Sequence, residues 1–97
     1  MKKAIINCLR VNIKDNVVTL IKEITVDEEL IGKDVPSGLR SCSSLKLGHK
    51  IAIEEIGEGD RIIKYGETIG YASRMIEPGE HVHVHNMVGG RGRGDLE

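Results

Sequence analysis

The chain contains no tryptophan and no phenylalanine, and its only aromatic side chains besides histidine are Tyr65 and Tyr71. Packing therefore falls to isoleucine, valine, leucine and alanine, a balance that favours strands over helices. Cysteine is almost as scarce. Cys8 and Cys42 stand far apart with no Cys-x-x-Cys spacing, which excludes a zinc ribbon or a dithiol redox pair and leaves two reduced thiols with no catalysis assigned to them. An excess of one charge sign is also missing. A formal net charge of -1 provides no basic face for phosphates, so nucleic acid is excluded as a partner. Long apolar runs are absent as well: the stretch behind Met1-Lys2-Lys3 is broken by Asn7 and Arg10. Neither a signal peptide nor a membrane span is expected, and the location read from this is cytoplasmic. At 97 residues one domain with one modest core is expected, because a chain this small buries only about 60 to 65% of the surface its unfolded form exposes.

What is present is a series of short alternating segments separated by turn residues. Ile5, Leu9, Val11 and Ile13 share one parity, and Val18, Leu20 and Ile24 share another, with Lys14-Asp15-Asn16 between them. That pattern predicts an N-terminal β-hairpin. Asp27 to Ile31, followed by Gly32, reads either as one helical turn or as a turn into a short strand. Residues 33 to 46 hold Pro36, Gly38 and four serines with little periodicity, which predicts a loop. Strands are expected at 50–54, 61–64, 67–73 and 80–85, with glycines between them. Ile56 to Ile62 and Ile76 to Val82 echo each other at a spacing of twenty: an apolar residue, a glycine-bearing turn, an acid, then a strand. Pro78-Gly79 suits a type II turn. The sum predicts an all-β domain over 1–88 and a flexible tail from 89 to 97.

The segment His81-Val82-His83-Val84-His85-Asn86 alternates imidazole with valine. Extended, it would present three imidazoles on one face. Same-face neighbours on a strand lie about 6.6 to 6.8 Å apart, so His81 and His85 would be roughly 13 Å apart, too far to share one ion through bonds of about 2 Å. An adjacent pair could ligate, with further ligands from elsewhere; the alternative is a solvated strand face.

Taken together, Gly48-His49-Lys50-Ile51-Ala52, Gly59-Asp60, Lys64-Tyr65-Gly66-Glu67-Thr68-Ile69-Gly70, Gly79-Glu80 and His83-Val84-His85-Asn86 make the sequence similar to a known family. It resembles the SAF-type domain that forms the N-terminal part or small subunit of altronate and galactarate dehydratases and of sulfolactate sulfo-lyase. The resemblance implies a small β-clip fold and a sugar-acid substrate. It also implies a large dehydratase subunit as partner and a divalent metal, Fe2+ first among the choices, in the complete enzyme; the isolated chain need hold none. Two departures stand out. Residues 33 to 46 match nothing in the pattern, and His81 occupies a position where an apolar or aromatic residue is expected. With His81 set aside, the metal pair becomes His83 and His85.

Removing water from a sugar acid means taking the proton beside a carboxylate and expelling a hydroxyl, which calls for a base, an acid and a cation near the developing enediolate. His83, His85 and His49 are the acid/base candidates, since imidazole titrates near neutrality. Lys50 and Lys64 could meet the substrate carboxylate, and Tyr65 and Asn86 could donate hydrogen bonds to its hydroxyls. Arg91 and Arg93, in the tail, could close on the partner or the anionic substrate. Each has a plain alternative: a turn for Lys64-Tyr65-Gly66, a solvated edge for His49-Lys50, a solvated linker for the tail. The functional reading is a small subunit or N-terminal domain of a sugar-acid dehydratase, inactive alone. A sulfolactate sulfo-lyase small subunit and a stand-alone carbohydrate- or protein-binding module are the competing readings.

Overall fold

Val17, Val18 and Leu20 make both sides of an extended segment apolar, and the computed structural model, which describes residues 5–89, buries that segment on both faces. The strands in chain order are β1 (Cys8–Leu9), β2 (Val17–Leu20), β3 (Lys50–Ala52), β4 (Arg61–Lys64), β5 (Glu67–Ala72), β6 (His81–Val82) and β7 (Met87–Gly89). They form two antiparallel sheets, one in the order β1-β2-β3-β6 and one in the order β4-β5-β7. No helix occurs among the described residues, and the all-β expectation holds.

Strand alternation sorts the core into two clusters. Val18, Leu20 and Ile51 point from one face of the first sheet into a cluster with Cys8, Ile24, Leu30 and Ile53. Val17, Ala52 and Val82 point from the other face and meet Ile56, Ile62, Ala72 and Ile76. Complete burial of each of these isoleucines contributes about 1.5 to 3 kcal/mol, which is how a chain without large aromatics still holds together.

The loops are tied down by one recurring device. Four segments have the same course: a bridging apolar residue, two turn residues, a residue at positive φ that is glycine in three of the copies and Asp27 in the fourth, then a strand or bridge. They begin at Ile24, Leu45, Ile56 and Ile76, and they pair as Ile24 with Leu45 and Ile56 with Ile76. The positive-φ residues are Asp27 (71°), Gly48 (93°), Gly59 (85°) and Gly79 (90°). In three copies the next side chain caps the turn: Glu28 accepts the Thr25 N–H at 2.9 Å, Asp60 the Gly57 N–H at 3.1 Å, and Glu80 the Glu77 N–H at 2.9 Å. The echo seen in the sequence is therefore half of a fourfold pattern. In the remaining copy the capping position is His49.

The N-terminal hairpin forms but is shorter than expected, with Cys8 opposite Leu20 and Leu9 opposite Thr19. Its expected inward row is turned outward: Ile5, Leu9, Val11 and Ile13 are all exposed, and Cys8 is buried instead. The reason lies in Asp15 and Asn16. Asp15 accepts the Asn12 N–H at 3.0 Å and the Gly66 N–H at 2.8 Å, while Asn16 accepts the Ile63 N–H at 2.8 Å and donates to the Arg61 carbonyl at 2.9 Å. The supposed hairpin loop is thus a clamp onto the β4–β5 hairpin. Residues 26–27 form a turn that leads into a bridge between Glu29 and Arg40, the latter inside the 33–46 excursion. Gly89, assigned to the tail, closes β7 opposite Gly70; the rest of the tail lies outside the described residues.

Candidate functional site

The register between β3 and β6 assembles the site. Lys50 pairs with Val82 and Ile51 with His81, so His49, one residue before β3, stands on the line of His83. His49 and His81 share the face of Ile51, which brings their rings to a centroid separation of 4.8 Å, with Nδ1 of His49 3.0 Å from Nε2 of His81. His83 completes the group, 5.7 Å from the His49 ring and 5.4 Å from the His81 ring. One nitrogen from each of His49, His81 and His83 lies within 4.8 Å of the others. The His85 ring is 5.5 Å from that of His81, so all four histidines of the chain gather at one sheet edge.

The strand expected through His85 ends at Val82, and residues 83–86 turn. Asn86 is responsible. Its side-chain oxygen accepts the His83 N–H at 3.0 Å and its amide donates to the His81 carbonyl at 2.8 Å, replacing the ladder bonds a longer strand would have made. This bears on two expectations. Asn86 is fully buried with both ends of its amide engaged, so it shapes the site and is not placed to donate to a substrate hydroxyl. The straight-strand spacing that singles out the pair His83 and His85 is replaced by a turn: the His81 and His85 rings, which an extended chain would hold far apart, are 5.5 Å apart, and the three histidines whose nitrogens come within 4.8 Å of one another are His49, His81 and His83. His81, set aside on the sequence pattern, is the centre of the cluster. The signal that could have found it is the turn pattern, in which His49 replaces the capping acid.

Burial, followed by the charges of His49, His83, His85 and Lys50, pushes the His81 imidazolium down to about 4. His81 is therefore neutral at pH 7, an acceptor or ligand rather than an acid. Burial would raise the Glu80 carboxyl, but the Glu77 N–H, the Arg74 hydrogen bond and charge, and the charge of His85 together hold it below its ordinary value. Arg74 meets Glu80 at 2.6 Å.

The lysines do not join the histidines. Lys50 alternates with Ile51 and shares its face with Val82 and Ala52, on the side of the second sheet; burial and then the charge of Lys64 lower its pKa. Lys64 lies on β4, its ammonium 4.8 Å from the centroid of the exposed Tyr65 ring. Tyr65 and Gly66 both have positive φ, 57° and 79°, as a two-residue type I′ hairpin turn requires. A cleft of about 400 Å³ lies beside this hairpin, lined by Lys14, Arg61, Ile63, Gly66 and Thr68 and by none of the histidines. Arg91 and Arg93 fall outside the described residues.

Two small antiparallel sheets with a histidine edge and no helix among the described residues define a small all-β domain. Residues 6–90 match the family model described as the altronate/galactarate dehydratase SAF domain, and the chain belongs to that family. It is 41% identical over 78 residues to altronate dehydratase of Bacillus subtilis (strain 168), an alignment that covers 80% of this chain and 15% of that protein. It is 34% identical over 74 residues to galactarate dehydratase (L-threo-forming) of Escherichia coli (strain K12), covering 76% of this chain and 14% of that protein. Against (2R)-sulfolactate sulfo-lyase subunit alpha of Chromohalobacter salexigens it is 46% identical over 44 residues, 45% of this chain and 47% of that protein. The context is that of lyases. The chain spans only a small part of the dehydratases it matches.

Proposed function

We propose that the chain is the SAF module of a sugar-acid dehydratase of the altronate or galactarate type, a small subunit or N-terminal part whose histidine edge faces a site completed by a large catalytic body. The observation that supports this most is the convergence of all four histidines on one edge, in a chain whose relatives include dehydratases. His83 and His85 are exposed and His49 is half-buried, which suits proton exchange with a substrate held by a partner. His81, neutral, orients its neighbours. Lys50 and Lys64 face away from this edge, so the substrate carboxylate would be met by groups of the partner. The cytoplasm is the setting proposed.

The donor set fits the divalent metal that the family implies. Three imidazole nitrogens are borderline ligands, suited to iron or zinc and poorly suited to magnesium. His49, His81 and His83 would hold it. Bound beside the substrate, such an ion supplies charge stabilisation to the developing enediolate.

A body of that kind needs a face to rest on. Ile5, Leu9, Val11 and Ile13, the last 69% exposed, lie on β1 and its flanks, at the opposite edge of the sheet from β6. Exposed apolar rows of this sort mark interaction sites. The occupant proposed is the dehydratase body, since this chain accounts for only 15% of the Bacillus subtilis relative.

Co-expression with a large dehydratase subunit, followed by purification and assay on altronate and galactarate, tests the reading: the complex is expected to turn over and the chain alone is not. Full turnover by the isolated chain would refute the division of labour. A sulfo-lyase role is the second reading, favoured by the match to a protein that is itself a subunit alpha; sulfite release from sulfolactate by the same complex would select it.

A further inference from the structure

We infer that the chain, without any partner, holds one borderline divalent transition-metal ion on His49, His81 and His83, with at least one coordination position left open. The inference rests on the proposed reading of the same histidine edge and goes beyond it in assigning the ion to this chain alone, so that its test reads metal binding and not turnover.

The argument rests on spacing. Bonds of about 2.0 to 2.1 Å place two nitrogens of a tetrahedral ion about 3.3 Å apart, and neighbouring nitrogens of an octahedral ion about 2.9 Å apart. The His49 and His81 nitrogens already face each other at 3.0 Å, so an ion replaces the shared proton with little movement. The third nitrogen is within 4.8 Å. His83 is exposed at the head of the 83–86 turn and free to close that gap. Its backbone N–H is held by the Asn86 side chain at 3.0 Å and its ring stacks on that of His81 at 5.4 Å, which preorganises the approach.

A second observation points the same way. The other three turns of the fourfold pattern place a carboxylate at the capping position, and that cap stabilises the turn. His49 forgoes this cap and turns its ring to His81. The exception falls on the one copy that leads to the cluster. Three protein nitrogens with an open position match the composition of reactive zinc-type sites rather than closed structural ones, and the absence of a carboxylate or carbonyl among the three disfavours magnesium and calcium.

Calorimetric titration of the untagged full chain with Zn2+, Co2+ and Mg2+ tests the inference. One Zn2+ or Co2+ per chain is expected, with no Mg2+ binding, and Co2+ should broaden the imidazole proton signals of His49, His81 and His83 more than those of His85. His49→Ala and His81→Ala should each weaken binding by more than about tenfold to a hundredfold, the scale on which loss of a mere outer-shell partner acts, and His85→Ala by less than about threefold. Wild-type affinity in His81→Ala, Mg2+ binding equal to that of Zn2+, or selective broadening of His85 would overturn the site. Circular dichroism checks that the variants fold, and the broadening pattern decides the matter on the unaltered chain if they do not. Failure here would remove the ion from this chain, while turnover of altronate and galactarate by the complex is read separately.

Discussion

Asn86 donates from its side-chain amide to the His81 carbonyl at 2.8 Å, and through that bond the end of β6 is bent into the turn that gathers the histidines. Replacing Asn86 by leucine keeps the volume and removes both hydrogen bonds. With the His83 N–H and the His81 carbonyl left unsatisfied, a loss of about 1 to 3 kcal/mol is expected in urea unfolding. Asn86→Asp retains the acceptor for His83 but sets a carboxylate oxygen against the His81 carbonyl at a fully buried position, so it should lose at least as much. Equal stability of all three proteins would show that the amide does not hold the turn.

Tyr65 carries a positive φ of 57°, a conformation that costs a bulky residue about 1 to 2 kcal/mol. Asparagine followed by Gly66 would be a favoured type I′ pair. Tyr65→Asn should therefore raise stability by about 1 kcal/mol, read as a higher thermal midpoint, while weakening any function that needs the exposed ring. A fall in stability would mean that the contact with Lys64 outweighs the backbone strain.

The fold class was legible in the sequence because isoleucine-rich alternation and turn residues are local signals. The site was only partly so. His83, His85 and His49 could be singled out by residue type, but the register that sets His49 beside His81 depends on pairing between segments thirty residues apart. The outward turn of Ile5, Leu9, Val11 and Ile13 was hidden for the same reason: Asp15 and Asn16 look like loop formers, and their long-range clamps onto Gly66, Ile63 and Arg61 have no local signature. The third and fourth copies of the turn pattern escaped notice because Asp27 takes the place of glycine in one and His49 the place of the acid in the other.

Acid should loosen that clamp. Burial would raise the Asp15 carboxyl, but the N–H groups of Gly66, Asn12, Tyr65 and Val11 hold it below its ordinary value of 3.8. A lowered folded pKa means that its stabilising contribution is present above the unfolded value and is lost as pH falls below it towards the folded value. Asp15→Asn replaces one acceptor oxygen with a donor. It should cost about 1 to 3 kcal/mol at pH 7 and flatten the pH dependence of stability below pH 4, which unfolding curves at successive pH values would reveal.

The outward apolar row makes a separate claim. Leu9→Lys and Ile13→Lys alter exposed positions, so each should change folding stability by less than about 0.5 kcal/mol. Both are expected to weaken association with a co-expressed large subunit in analytical ultracentrifugation. Unaltered association in the double variant would move the docking face elsewhere.

The most direct test replaces His49, His81, His83 and His85 together by glutamine and measures dehydration of altronate and galactarate by the complex with the large subunit. The account predicts that the complex still forms and that kcat falls at least about a hundredfold, the scale on which positioned acid/base groups act. Wild-type turnover by that complex would contradict a role for the histidine edge in the reaction.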